Sequence, residues 1–493
     1  DILYIPQPAA GIYTLYFGID LNMNGKLDAD SLVFEAVSVV VSESGKRSDF
    51  ITAGWSAGLD KMLSFEDPTS QPAPKYPHDE KITDFVPLAN GYGVQLTVVQ
   101  LSANEGRYSL RTVPLSYPEK SNAVSETSLG VSSYPGVIAN GNLIYLISNE
   151  SEYRTDYAGG KCRIQVMDFS EPESPLTRGS IDIVGNYYAP IQGGKSYHNE
   201  GHILQMNGST LILTYRPGYY GSMKNYDAGK DLFASPPKSG ESPKPQGGVK
   251  IVDFSDADHP KLLSELSIDI GGNSDYALGS EGYFLNGKLL YFSYKNIIEA
   301  DLNKRPQSKY YLGRIDLSNT SEPLRLASIN IPGGCIGMDS SGKYAFTLGA
   351  EWRNDTDWYL SYTFNSVRLD NDKAFLADHL TLRNSAVSAV VSEGFAYLSI
   401  EGITIVDLSN PEKLKVYENS FPVTDTWLSI LDVKNRKIFV STSDGMSCYD
   451  ASDPAKLLLN ESVEHYGNKI AYSGNTAYLP MGYYGTWVKN LNN

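Results

Sequence analysis

The 493 residues suffice for several ordinary domains or one large closed repeat array, and 44 glycines, 26 prolines and 35 tyrosines with only 20% charged residues describe a turn-rich, strand-rich chain. A formal charge of −16, with no Lys/Arg run to reverse it locally, repels phosphate backbones and argues against nucleic acid as a partner. No stretch approaches the roughly 18–20 apolar residues that span a bilayer, Asp1 opens on neither a basic nor an apolar leader, and Cys162, Cys335 and Cys448 fall in separate repeats without zinc, haem or disulfide spacing.

Residues 1–47 predict a small N-terminal β segment, a hairpin with strands over Ile12–Ile19 and Ser31–Val41. Between them, Asp20-Leu-Asn22-Met-Asn24-Gly25-Lys26-Leu-Asp28-Ala-Asp30 matches an EF-hand-type loop at positions 1, 3, 5, 6 and 9, with the Lys26 carbonyl at position 7. Hard cations want such an oxygen cage, so the candidate ligands of a structural Ca2+ are Asp20, Asn22, Asn24, Lys26, Asp28 and Asp30. Position 12 is Ser31 where a bidentate Glu is usual, and the flanks are strands, so a hairpin turn that binds no metal is the other reading. Two strands make too small a sheet to stand alone. They dock on the rest of the chain, complete a truncated Ig-like domain, or pair with another chain as a self-assembly device.

Residues 48–82 predict a closing strand within Ser48–Phe65 and a Pro-rich linker from Glu66 to Pro77. Gly54-Trp-Ser56-Ala-Gly58 has the spacing of a nucleophile elbow, which works only at a strand-to-helix turn of an α/β sheet. No helical pattern surrounds Ser56, which reads as a loop serine.

From residue 83 to 493 two markers alternate. One is a strand ending in Asp-x-Ser, at Asp168-Phe-Ser170, Asp253-Phe-Ser255, Asp316-Leu-Ser318, Asp407-Leu-Ser409 and Asp450-Ala-Ser452, with degenerate copies carrying Pro114 and Arg368 in place of the Asp. The other is a tight turn between short apolar strands, at Asn90-Gly91, Asn140-Gly141, Asn207-Gly208, Asn286-Gly287, Ser341-Gly342, Glu393-Gly394, Asn435-Arg436 and Gly474-Asn475, read as type I′ with both central residues at positive φ. Their interleaving predicts an all-β fold, a β-propeller of eight four-stranded blades, with seven as the alternative. Trp487–Asn493 aligns with a third strand and leaves the last blade short of its outermost one. The repeated Asp reads as an Asx-turn former, its carboxylate taking the backbone N–H two residues on.

These Ile-Val-Asp-x-Ser-x-Pro copies, as in Ile403-Thr-Ile-Val-Asp407-Leu-Ser409-Asn-Pro411, resemble the LVIVD repeat and the wider group of secreted bacterial propellers distantly related to WD-40. The Asp20–Asp30 loop resembles those of secreted adhesion and dockerin-like modules. The resemblance implies an extracellular or cell-surface protein, with the periplasm as alternative, and brings no catalytic residues.

Chemistry is sparse. His198-Asn-Glu200-Gly-His202 lacks the helical spacing of zinc sites, since a strand places residues four apart about 13 Å from each other, and hydrogen-bonded loop histidines are the preferred reading. Long loops on one predicted face carry Tyr153, Tyr157, Tyr187, Tyr188, Tyr219, Tyr220, Trp352, Trp358, Tyr483 and Tyr484, side chains that suit protein or polysaccharide recognition or else pack the loops together. The insertion from Gly218 to Gly248 reads as a lid, a binding arm or a disordered excursion. The leading expectation is a non-enzymatic extracellular binding or scaffold protein. A hydrolase or lyase with its site at the central channel, and a structural subunit of a surface filament or matrix, are the alternatives.

Overall fold

Each predicted repeat folds as one antiparallel sheet. The computed structural model describes residues 11–19, 32–41, 80–101, 106–132, 135–149, 161–185, 187–188, 201–215, 247–268, 274–276, 283–299, 307–352, 359–419, 428–465, 467 and 469–492. Two compact units divide the chain, Asp1–Pro77 and His78–Asn493. In the first, Gly11–Ile19 pairs antiparallel with the β-branched run Leu32–Val41, from Gly11↔Val41 to Ile19↔Leu32, with a register shift at Phe17/Gly18.

The second unit is an eight-bladed propeller. Blade 1 is Lys81–Pro87, Tyr92–Gln100, Gly106–Pro114 and Ser125–Ser132, paired in chain order from the inside out. Blades 2 to 7 repeat that order, their innermost strands being Gly136–Asn140, Gly201–Met206, Tyr283–Asn286, Gly334–Met338, Ala389–Ser392 and Ser429–Lys434. Tyr187–Tyr188 adds a parallel strand to blade 3, and Ser274–Tyr276 pairs with Leu289–Glu299 in blade 4. Blade 8 has three described strands, Ala471–Ser473, Thr476–Pro480 and Thr486–Asn490. The closing strand expected within Ser48–Phe65 lies outside the described residues.

A sheet buries two faces only if neighbours cover both, and the hydrophobic core is accordingly divided into eight clusters, one per seam between consecutive blades. The alternation along each third strand sets which side chain meets which neighbour. The residue two before the conserved Asp faces the next blade and is fully buried at Val166, Ile251, Ile405 and Cys448, as are its counterparts Thr112 and Ser366. Val488, at the same position in blade 8, is 40% exposed.

All five Asp-x-Ser copies form the expected Asx-turn. The N–H groups of Ser170, Ser255, Ser318, Ser409 and Ser452 donate to Oδ1 of Asp168, Asp253, Asp316, Asp407 and Asp450 at 2.8–2.9 Å. A sixth turn has Asn492 donating to Asn490 Oδ1 at 2.9 Å. The residue between donates its own N–H back to the tight turn of its blade in all eight blades, including the degenerate copies: Leu115 to Gly91 and Leu369 to Lys343 bond as Phe169 does to Asn142.

The tight turns depart from expectation in type. Positive φ at both named residues holds for Glu393-Gly394 and Asn435-Arg436, and for Asn207-Gly208 within a three-residue loop. In blades 2, 4 and 8 the strands pair Asn140↔Leu143, Asn286↔Leu289 and Ser473↔Thr476, so Gly141, Gly287 and Gly474 are the first central residues and alone take positive φ, the type II′ arrangement. Both types match strand twist, and glycine in first place needs nothing special of its successor.

Ile405→Ala should lower the unfolding free energy by about 2–5 kcal/mol, whereas Val488→Ala should change it by less than about 1 kcal/mol, since only the first leaves a cavity. Urea unfolding with an unchanged m-value checks the pair.

Candidate functional site

The seam between blades 8 and 1 differs chemically from the other seven. Its apolar cluster has three buried members, Phe85, Val113 and Tyr478, with Phe85 and Tyr478 stacked at 4.9 Å between ring centroids. Polar contacts occupy the remainder. The Ile82 N–H donates to the Gly482 carbonyl at 3.0 Å, the Tyr478 hydroxyl donates to the Leu115 carbonyl at 3.3 Å, and Lys469 Nζ donates to the buried carboxylate of Asp84.

Arg111, 2% exposed, is among the largest fully buried side chains of the described residues. It lies three residues before the blade 1 counterpart of the conserved Asp and so faces the preceding blade. At that position in blade 3, Lys250 Nζ donates to the Val184 carbonyl on the outer strand of blade 2, and in blade 8 Trp487 Nε1 donates to Glu461 on the outer strand of blade 7. Arg111 instead meets Glu80, which also accepts from Thr97 Oγ1 at 2.7 Å and Lys120 Nζ at 2.9 Å, and it reaches Glu126 at 3.3 Å. A buried guanidinium is tolerable only when paired in this way. Burial alone would raise the Glu80 carboxyl, but hydrogen bonds from Arg111, Lys120 and Thr97 outweigh it and hold the group at about 2. Gln95, wholly buried beside them, donates Nε2 to the Pro118 carbonyl and to Thr486 Oγ1, while its Oε1 has no partner among the described residues.

On the face that carries the second-to-third-strand loops, this seam presents an aromatic step. Tyr483 is 36% exposed with Lys81 Nζ 4.7 Å from its ring centroid, and Tyr484 stacks on His465 with centroids 3.4 Å apart. These are the two predicted partner-binding residues whose side chains are placed on a surface. Tyr187 is not: it is 1% exposed in the core between blades 2 and 3, its backbone N–H bonded to Asn149 Oδ1 and its hydroxyl donating to the Val184 carbonyl, which makes it a packing residue. Tyr188 and Trp352 end up on strands and only their backbone is described. Tyr153, Tyr157, Tyr219, Tyr220 and Trp358, most of the Gly218–Gly248 insertion, Ser56, His198, Glu200 and the loop residues Asp20, Asn22, Asn24, Lys26, Asp28 and Asp30 lie outside the described residues.

On the opposite face neighbouring blades bond to one another at several seams. Asn90 N–H donates to Asn142 Oδ1 and Asn435 Nδ2 to Asn475 Oδ1 between the tight turns of adjacent blades, and Gln205 Nε2 donates to the Ala139 carbonyl between inner strands beside them. The carboxylate of Glu393 receives both N–H groups of the positive-φ pair Asn435-Arg436, at 2.6 and 3.0 Å. Cys162, Cys335 and Cys448 are buried in three different blades, and burial pushes their thiols up to about 12, about 12 and about 11.

Sequence reasoning missed Glu80, Arg111 and Lys120. The available signal was positional, because a charged residue at an inward position of a seam demands a partner, and Glu80 immediately precedes the first strand of blade 1.

No family model matches this chain, and no curated protein matches it either. Among solved structures it is similar to the computationally designed Ika8 protein, at 9% identity over 84% of this chain and 98% of that one, with a TM-score of 0.46. It is also similar to BamB from Moraxella catarrhalis, at 10% identity over 84% of this chain and 98% of that one, with a TM-score of 0.42.

The Glu80 carboxyl is depressed from its usual 4.5 to about 2 in the folded chain, so its contribution is fully present above pH 4.5 and is lost as pH falls through about 2. Glu80→Gln should therefore destabilise the protein at pH 7 and lose that part of the acid dependence, which denaturant unfolding of both proteins between pH 7 and pH 2.5 measures.

Proposed function

We propose that the chain is a non-enzymatic binding scaffold, a secreted or cell-surface propeller of the LVIVD type, that recognises a protein partner through its loop face. The observation that carries this reading is that tight turns of neighbouring blades bond to one another on one face, while on the other the second-to-third-strand loop of blade 8 presents Tyr483, 36% exposed beside Lys81. Rigid placement of amphipathic aromatics on a closed ring lowers the ordering cost of association. A polysaccharide is the competing ligand class.

The twelve positions 20–31 span the connection between Ile19 and Leu32, where the hairpin register closes. This supports a role for the Asp20–Asp30 loop as a Ca2+ site that stiffens the hairpin, with self-assembly through these strands as its use.

A photocrosslinking amino acid at position 483, tested on intact cells against one at position 209 on the tight-turn face, should give a discrete protein adduct only at 483. Equal yields at both positions, or glycan-array binding lost in Tyr483→Ala without any protein adduct, would replace the reading. Millimolar Ca2+ should raise the hairpin unfolding temperature and EDTA reverse it, with Asp20→Ala/Asp28→Ala unresponsive, as circular dichroism or exchange at the Gly11–Val41 amides would report.

A further inference from the structure

The seam between blades 7 and 8 carries a side chain that breaks the repeat. Third strands face the preceding blade at the residue immediately before the conserved Asp, and that place is held by Val113, Met167, Val252, Ile315, Val367 and Val406, each 2% exposed or less, and by Tyr449. In blade 8 it is Lys489, itself only 8% exposed. An ammonium group at a core position is costly unless it is met there, so its partners are informative.

Those partners lie on the outer strand of blade 7, Leu458–Val463. This strand pairs Glu461 with Cys448 and Leu459 with Tyr449, which leaves Asn460 as the extra residue of a β-bulge. A bulge re-aims side chains, and here two successive residues reach the same group: Lys489 Nζ donates to Asn460 Oδ1 at 3.1 Å and to Glu461 Oε2 at 2.8 Å. The other carboxylate oxygen of Glu461 accepts from Trp487 Nε1 at 3.0 Å, which holds it beside the amine. Trp487 and Cys448 belong, with Phe439, to the buried apolar cluster of this seam. One primary amine is therefore held against a carboxamide and a carboxylate at the edge of a core.

We propose that Lys489 Nζ and Asn460 Cγ join in an intramolecular isopeptide bond that ties blade 8 to blade 7, with Glu461 relaying the proton. Glu461 takes a proton from Nζ, the freed amine attacks Cγ, and the Nζ–Cγ bond forms. The proton on Glu461 then passes to Nδ2, the Cγ–Nδ2 bond breaks, and ammonia leaves. Ammonia carries off the surplus proton of Nζ as ammonium, so Glu461 ends as a carboxylate and no oxidant, reductant or added reagent is consumed. Folding holds the reacting groups together, and the step needs no encounter. The bond closes a covalent loop over the 29 positions that separate the two residues, and that loop contains the first two strands of blade 8.

The test uses the full chain, purified and incubated in its folded state. Its intact mass should be lower than the sequence mass by one ammonia, and tryptic digestion should yield one branched peptide joining residues 457–469 to residues 470–493, uncut after Lys489. Lys489→Arg, Asn460→Ala and Glu461→Gln should each restore the full mass, with circular dichroism reporting an unchanged strand signal. Lys437, buried and bonded to Asp450 Oδ2 at 3.0 Å, is the internal control and should be cleaved normally. A wild-type chain that keeps its full mass overturns the proposal. So does loss of ammonia without the branched peptide, which marks a cyclised asparagine instead. A bond formed undiminished in Glu461→Gln overturns the relay.

Discussion

Closure of the ring between blades 8 and 1 is the constraint on which every other contact depends. Lys469 and Asp84 meet across 385 residues of sequence, and until they do, each blade is covered on its inner faces only by its chain neighbours. The seam that completes the ring has the smallest apolar cluster, and beside it blade 1 carries a buried Arg111 pinned by Glu80. Apolar packing alone would accept the next blade of any repeat. The Lys469–Asp84 pair and the stacked Phe85–Tyr478 give this seam side-chain contacts that the other seams do not repeat.

Between the ends, the array propagates by two devices acting at once. The Asx-turn at each Asp-x-Ser shapes the link from third to fourth strand, and the residue inside it bonds back to the tight turn of the same blade, so inner and outer hairpins are held to one another. The same link then rests on the preceding blade, as when Arg178 on the outer strand of blade 2 grips Asp258 in the blade 3 connection. Side chains that repeat around the ring are therefore spent on the scaffold, and recognition is left to residues that break the symmetry.

That division explains which features were legible in the sequence. The Asp-x-Ser motif and the Gly-bearing turns are local, since each specifies backbone geometry within four residues, and they located even Leu115 and Leu369 in copies that had lost the Asp. Turn type was harder, because shifting the pairing by one residue moves Gly141 from second to first central place without altering composition. Tyr187 was misplaced for a related reason. An aromatic in a long connection looks available for contact, yet Asn149 captures its backbone and draws the ring into a seam.

The polar seam was harder to read, for a different reason. Residues three before the conserved Asp are polar or small in most blades, Gln165, Lys250, Asn365, Thr404 and Ser447 among them, so Arg111 looks ordinary in the alignment. Its distinction lies in what faces it. Lys250 and Trp487 find acceptors on the outer strand of the preceding blade, whereas Arg111 looks towards the blade with no described outer strand and takes Glu80 in compensation. The Arg111 charge is thus balanced from within its own blade. The ring is joined at this seam by the Ile82 N–H on the Gly482 carbonyl and by Lys469 on Asp84, while the Arg111 charge is balanced separately by Glu80.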